Sequence, residues 1–117
     1  MINEMKLGNN VNVYDNGDFY RDYIHVDDIA EAIYLIMNKG EINDIYNVGN
    51  GNPLLFKDMI DYAKSKIVSK SKLIPVTTLE FHKTIQVKSM WMNSDKLHAL
   101  GYKPKYKMEH MIDDMIR

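Results

Sequence analysis

The chain contains no cysteine, which excludes a disulfide framework and any thiolate metal site. Charge of one sign is also missing. Fifteen Lys and Arg stand against sixteen Asp and Glu, for a net charge of −1, so nothing points to a polyanion-binding protein. No apolar run approaches the roughly 20 residues needed to span a bilayer, and no secretory signal is evident at the N-terminus. The expectation is a cytoplasmic protein without a membrane partner. Internal repeats and low-complexity tracts are absent too. What remains is ordinary for a soluble globular chain: 45% hydrophobic and 26% charged residues among 117. That length supports one domain, able to bury roughly two-thirds of the surface its unfolded form exposes.

The most informative stretch runs from Arg21 through Asp22-Tyr23-Ile24-His25-Val26-Asp27-Asp28 to Ala32. Tyr23, Ile24 and Val26 are strand formers, and Asp27 or Asp28 is a natural helix N-cap. Ile29, Ala32, Ile33, Ile36 and Met37 then recur at helical spacing, which makes Ile29 to Met37 a buried anchor. A short strand thus delivers an arginine at one end and feeds a helix at the other. Upstream, Asp15-Asn16-Gly17-Asp18 is a tight turn in which Gly17 supplies a positive φ. That turn can hold the arginine near an anion.

On either side the pattern is mixed. Met1 to Leu7 reads as the tail of a helix closed by Gly8, and Val11 to Tyr14 alternates as a strand. Ile45 to Val48 is a second strand, ended by Gly49-Asn50-Gly51-Asn52-Pro53. Phe56, Met59, Ile60, Ala63 and Ile67 mark an amphipathic helix. Lys64, Lys66, Lys70 and Lys72 decorate its end, where cations complement the dipole. No aromatic residues interleave with them, so a nucleic-acid site is not expected. Leu73 to Val76 is a short strand that Pro75 confines to an edge. Thr78 to Lys83 reads as one polar helical turn, and Ile85 to Lys88 alternates. Asn93 or Ser94 caps a short helix stopped by Gly101, and Met108 to Ile116 forms a last amphipathic helix. The fold class is therefore α+β, a small mixed helix and strand domain. Its helical faces carry more apolar surface than so short a chain buries alone, which implies a missing partner surface.

Three of these stretches carry a resemblance. The first runs from Asn12-Val13-Tyr14-Asp15-Asn16-Gly17 through Arg21-Asp22-Tyr23-Ile24-His25-Val26-Asp27-Asp28-Ile29-Ala30-Glu31-Ala32. The second is Ile45-Tyr46-Asn47-Val48-Gly49-Asn50-Gly51, and the third is Ser94-Asp95-Lys96-Leu97-His98-Ala99-Leu100-Gly101-Tyr102-Lys103-Pro104. In that order they resemble the substrate-domain signatures of the NAD(P)-dependent sugar-nucleotide epimerases and dehydratases, the extended short-chain dehydrogenases/reductases. The likeness covers nearly the whole chain.

The resemblance implies a C-terminal substrate-binding portion, residues 1–117, without the Rossmann half. It assigns Arg21 to the pyrophosphate of a nucleotide-sugar, a task that suits a guanidinium fork. The alternative is an Arg21 that merely pairs with Asp22 or Asp27. Tyr14 either stacks on the base or packs in the core. Asn47 satisfies loop backbone groups, Asn47-Val48-Gly49 borders the substrate cleft, and His25 makes a structural hydrogen bond. Many relatives carry a second phosphate-binding arginine followed by an acid. Here His82 or Lys83 replaces the arginine and Gln86 the acid. The expected ligand is a UDP-, dTDP-, CDP- or GDP-linked sugar.

Catalysis in the family also needs a Gly-rich turn for the dinucleotide and a Tyr-x-x-x-Lys pair. The glycines at 8, 17, 40, 49, 51 and 101 never fall at G-x-x-G-x-x-G spacing. Tyr62-Ala63-Lys64 and Tyr102-Lys103 have the wrong separation for the pair. No catalytic residue is therefore assigned. NAD or NADP belongs to the full-length enzyme, with none expected on this chain, which is expected to be inactive alone and to self-associate through its exposed domain interface. The alternative is a stand-alone, non-catalytic binding or interaction module derived from the fold.

Overall fold

The computed structural model describes residues 1–85 and 87–117; the Gln86 assignment lies outside the described residues. In chain order the elements are α1 (Ile2–Lys6), β1 (Val11–Tyr14), β2 (Tyr20–Arg21), α2 (Val26–Lys39), β3 (Leu54–Leu55), α3 (Phe56–Lys66), β4 (Leu73–Val76), α4 (Glu80–Ile85), α5 (Asp95–Ala99) and α6 (Met108–Ile116). A single 3-10 turn, Asp15–Gly17, follows β1.

Alternation decides the first layer. Val11 and Val13 point inward and Asn12 and Tyr14 outward, as the pleat requires. β1 pairs in parallel with β4, from Val11 opposite Leu73 to Tyr14 opposite Val76. Against the inward valines pack Ile2 and Met5 of α1, Ile60 and Ala63 of α3, and Ile112 of α6. Each such aliphatic side chain contributes roughly 1.5–3 kcal/mol when fully buried. Gly17 is needed where the 3-10 turn meets α3. Its φ is +72°, and a Cβ there would stand 3.0 Å from the Lys57 backbone.

A second, smaller cluster joins α2 to α5 through Ala32, Leu97 and Tyr102. Between the clusters, β2 pairs antiparallel with β3, Arg21 opposite Leu54. Arg21 also makes an isolated parallel bridge to Met90.

Several expectations need correction. No strand forms at Tyr23 to Val26 or at Ile45 to Val48. Strand hydrogen bonds need a neighbour. Ile45, 80% exposed, has none among the described residues, and after Arg21 the Asp22 side chain takes over as acceptor. The N-cap of α2 is neither aspartate but His25, whose Nδ1 accepts the Asp27 N–H at 3.1 Å. Ile85 closes α4 and is not the start of an extended run. Of the supposed α2 anchor, Ala32 is buried, but Ile33 and Met37 are 50% and 80% exposed.

The molecule measures 50 × 36 × 16 Å with a radius of gyration of 16.9 Å. A compact chain of this length has about 13 Å. It is a slab, and large apolar side chains of α2, among them Val26, Ile33 and Met37, are left in solvent.

Candidate functional site

The site is built around Arg21. Its Nη1 donates to the carbonyls of Tyr20 and Lys88 at 2.8 and 2.7 Å, and its Nη2 to the carbonyl of Val87 at 3.0 Å. A guanidinium has five N–H donors. Nε–H and one Nη2–H therefore remain without a protein partner among the described residues, and those two can form a side-on fork. The guanidinium carbon also lies 4.8 Å from the centre of the Phe19 ring, within cation–π range. Phe19 in turn stacks on Phe56 at 4.8 Å. Arg21 makes no ion pair with Asp22 or Asp27, so the pairing alternative is not realised.

Asp22 has separate work. Its carboxylate accepts the N–H groups of Asn50 at 2.9 Å and Met92 at 3.2 Å. Gly49 lies so close that a Cβ would stand 2.5 Å from Asp22 Oδ2. Ser94 donates to the Gly49 carbonyl at 3.3 Å. The arginine–aspartate, Asn47-Val48-Gly49 and Ser94 stretches, far apart in sequence, thus converge on one carboxylate.

Arg21 forms a wall shared by two cavities. The smaller, about 270 Å³, is lined by Tyr14, Asp15, Phe19, Arg21, Thr78 and His82, with Val87 and Lys88 closing it. The larger, about 460 Å³, has Arg21, Asn47, Gly49, Trp91 and Met92 among its walls. Tyr14 is 51% exposed, so it faces the smaller cavity and not the core. Asn47 borders the larger one and donates through Nδ2 to the Asn93 carbonyl at 3.2 Å. Lys83 is not brought to either cavity. It pairs with Glu80 at 3.1 Å on exposed α4, whereas His82 does line the smaller cavity.

Sequence reasoning missed Asp15, Phe19, Thr78 and Lys88. Asp15 stands directly after Tyr14 in the quoted motif and was legible there. Thr78 had no local signal.

His25 and Asp28 hold the fold together. The His25 ring stacks on Tyr106 at 3.9 Å and 13°, and its Nε2 lies 3.0 Å from Asp114. Buried Asp28 accepts the N–H groups of Lys105 and Tyr106 at 3.0 and 3.1 Å.

One tyrosine–lysine spacing also needs correcting. Tyr62 and Lys66 do stand four residues apart on α3, with the Lys66 ammonium 5.4 Å from the ring centre. Neither lines the Arg21 cavities. The Tyr62 hydroxyl donates to Asp113 at 3.1 Å. Burial, then that bond, raises its pKa, the wrong direction for a proton-exchanging base.

This fold and site define a small mixed helix and strand domain with two cavities that share the Arg21 wall. The family model described as GDP-mannose 4,6 dehydratase matches residues 1–115, and the chain belongs to that family. It is 31% identical over 110 residues to a protein described as "Putative GDP-L-fucose synthase 2" of Arabidopsis thaliana, covering 92% of this chain and 32% of that protein. It is 28% identical over 104 residues to the dTDP-D-glucose 4,6-dehydratase of Mus musculus, covering 86% and 29%. Among solved structures, the Thermotoga maritima UDP-glucose 4-epimerase with UDP-glucose superimposes with a TM-score of 0.84 at 23% identity, over 98% of this chain and 36% of that one. The Bacillus anthracis dTDP-glucose 4,6-dehydratase in complex with NAD gives 0.81 at 20%, over 98% and 36%. The chain spans about a third of the length of these relatives. No helix among the described residues is long and apolar enough to cross a membrane.

Proposed function

We propose that this chain is the nucleotide-sugar-holding part of an NAD(P)-dependent epimerase, dehydratase or reductase. The observation that carries this reading is the Arg21 guanidinium, fixed by three carbonyls, with two donors left without a partner among the described residues. It stands between two cavities. A pyrophosphate bridging that wall puts the nucleoside beside Tyr14 and Phe19 and the sugar beside Asn47 and Trp91. Lys88 supplies further positive charge on the nucleotide side, and His82 lines the same cavity. Lys83 and Gln86 were the other expected contacts, and Lys83 takes no part in this arrangement.

In the full-length enzyme this grip orients the sugar for hydride exchange with a nicotinamide, so that binding energy from the remote nucleotide serves the chemical step. The dinucleotide-binding half, with NAD or NADP, seats on the exposed α2 face that carries Val26, Ile33 and Met37. The chain alone binds no dinucleotide, turns over no sugar, and self-associates through that face.

Calorimetric titration of UDP-, dTDP-, CDP- and GDP-sugars tests the site. Binding is expected, and Arg21→Lys, which keeps the charge but loses the fork, is expected to abolish it. Unchanged affinity in Arg21→Lys would remove the phosphate role. Epimerising or NADH-forming turnover by the pure chain would show that the chemistry resides here after all.

A further inference from the structure

We infer that His25 is a proton-operated cap on α2: the neutral ring closes the first turn of the helix, and the imidazolium releases it. The inference stands on the geometry around His25 and is independent of the nucleotide reading above.

The two ring nitrogens have different work. Nδ1 accepts the Asp27 N–H at 3.1 Å, while Nε2 lies 3.0 Å from Asp114 Oδ2. A backbone N–H only donates, so Nδ1 carries no proton here, and Nε2 holds the hydrogen that goes to Asp114. The cap therefore exists only with the neutral ring. A proton added at Nδ1 sets one N–H against another and breaks it.

An alternative partner for that proton is already in place. Asp27 Oδ2 lies 3.8 Å from Nδ1, and Asp114 stays on Nε2. An imidazolium between two carboxylates makes a charge-assisted bond to each. With the side chain only 11% exposed, water screens those bonds little. The ring stacks on Tyr106 at 3.9 Å and 13°, so it can turn in its own plane towards the Asp27 carboxylate without leaving the stack. The Tyr106 hydroxyl, which donates to the same Asp27 oxygen at 3.2 Å, then has to share it.

The other charged neighbours do not offset this pair. Arg117 takes the second Asp114 oxygen at 3.2 Å, and His110 of α6 meets Tyr106 edge-on at 6.3 Å. α3 faces the same cavity through Met59 and brings no charge to it. Tyr23, also on that cavity, holds its phenolic proton more tightly than usual because it is buried.

One ring thus has two bonding states. In the neutral state the Asp27 N–H is held and α2 starts at Val26. In the charged state that N–H joins the unpaired donors of the helix N-terminus, and the first turn opens. His25 and Val26 wall a cavity of about 350 Å³ against Met59, Met111 and Met115. The proton therefore controls how the start of α2 stands against α3 and α6.

Nuclear magnetic resonance of the whole nitrogen-15-labelled chain tests this from about pH 8 to about pH 5, the span in which histidine ordinarily titrates. The His25 ring nitrogens report the proton, and the Asp27 amide reports the cap. At the alkaline end the ring is expected as the Nε2–H tautomer. The Asp27 amide is expected to shift with the same midpoint as the ring. Its exchange with solvent, corrected for the intrinsic effect of pH, should quicken roughly five- to tenfold, the scale of one neutral hydrogen bond. His25→Asn keeps a side-chain acceptor at the N-cap but gains no proton, so its Asp27 amide should stay flat across that midpoint. A wild-type Asp27 amide that ignores the His25 midpoint would overturn the inference, whatever the variant does. The same shift in His25→Asn would overturn it too, by assigning the change to the Asp27 or Asp114 carboxylate. An Nδ1–H tautomer at the alkaline end would remove the cap itself.

Discussion

The Asp22 carboxylate and the Asn50 backbone N–H meet at 2.9 Å across 28 residues of sequence. Through the same carboxylate the Met92 N–H is tied in from the other side. Asp22 is therefore the post to which both loops flanking Arg21 are fastened. Asp22→Ala is expected to lower stability by about 2 kcal/mol, the scale of a hydrogen bond to a charged acceptor. It should also weaken nucleotide binding, because the wall behind Arg21 loosens. Urea unfolding together with titration checks both; unchanged stability would remove Asp22 from this role.

Gly49 belongs to the same knot. A Cβ there would lie 2.5 Å from Asp22 Oδ2 and 3.0 Å from the Met92 Cβ. Gly49→Ala is expected to cost about 1–3 kcal/mol, as overpacking does. Adding Asp22→Ala removes the nearest clashing atom, so the double variant should be less destabilised than the sum. Strict additivity in a double-mutant cycle would show that the two do not touch in solution.

Asp28 is wholly buried and accepts the N–H groups of Lys105 and Tyr106. Asp28→Ala leaves two donors without their acceptor, and a loss of about 2–3 kcal/mol is expected. The segment before α6 should then become the first site of limited proteolysis. Cleavage elsewhere first would argue against this staple.

Tyr102 gives a pH signature. Burial, then the negative charges of Asp28, Asp22 and Glu31, push its phenol up to about 12 from 10. The folded state thus holds this proton more tightly than the unfolded chain. The contribution is fully present below pH 10 and is lost as pH rises from there through about 12. Tyr102→Phe should remove this part of the alkaline decline and delete the late-ionising phenol from an ultraviolet titration. At neutral pH the substitution is expected to be nearly neutral, since the hydroxyl has no partner among the described residues. A marked loss at pH 7 would reveal a partner for the hydroxyl.

Phe19 supports Arg21 from below its plane. Phe19→Leu keeps the bulk but removes the ring. Nucleotide affinity is expected to fall by roughly two- to fivefold, matching a cation–π contact of about 0.5–1 kcal/mol. No change on calorimetry would mean that the carbonyls alone hold the guanidinium.

Much of this was legible along the chain because it is local. Periodicity placed α2, α3 and α6, alternation placed β1, and the run from Arg21 to Ala32 singled out the arginine that stands between the two cavities. Each signal depends on residues within a few turns or pleats of one another. The N-cap was misassigned because aspartate is the commoner choice, and only the approach of Asp114 and the Tyr106 ring fixes the His25 imidazole where it can cap. The strand expected at Ile45 to Val48 failed because β-propensity without a neighbour yields no ladder. Tertiary structure alone decided that Asp22 ties three distant stretches together, that Arg21 is held by carbonyls rather than carboxylates, and that Thr78 reaches the cavity beside Tyr14. Those contacts join residues many positions apart, and their partners are largely backbone groups, which every residue carries and no sequence pattern distinguishes.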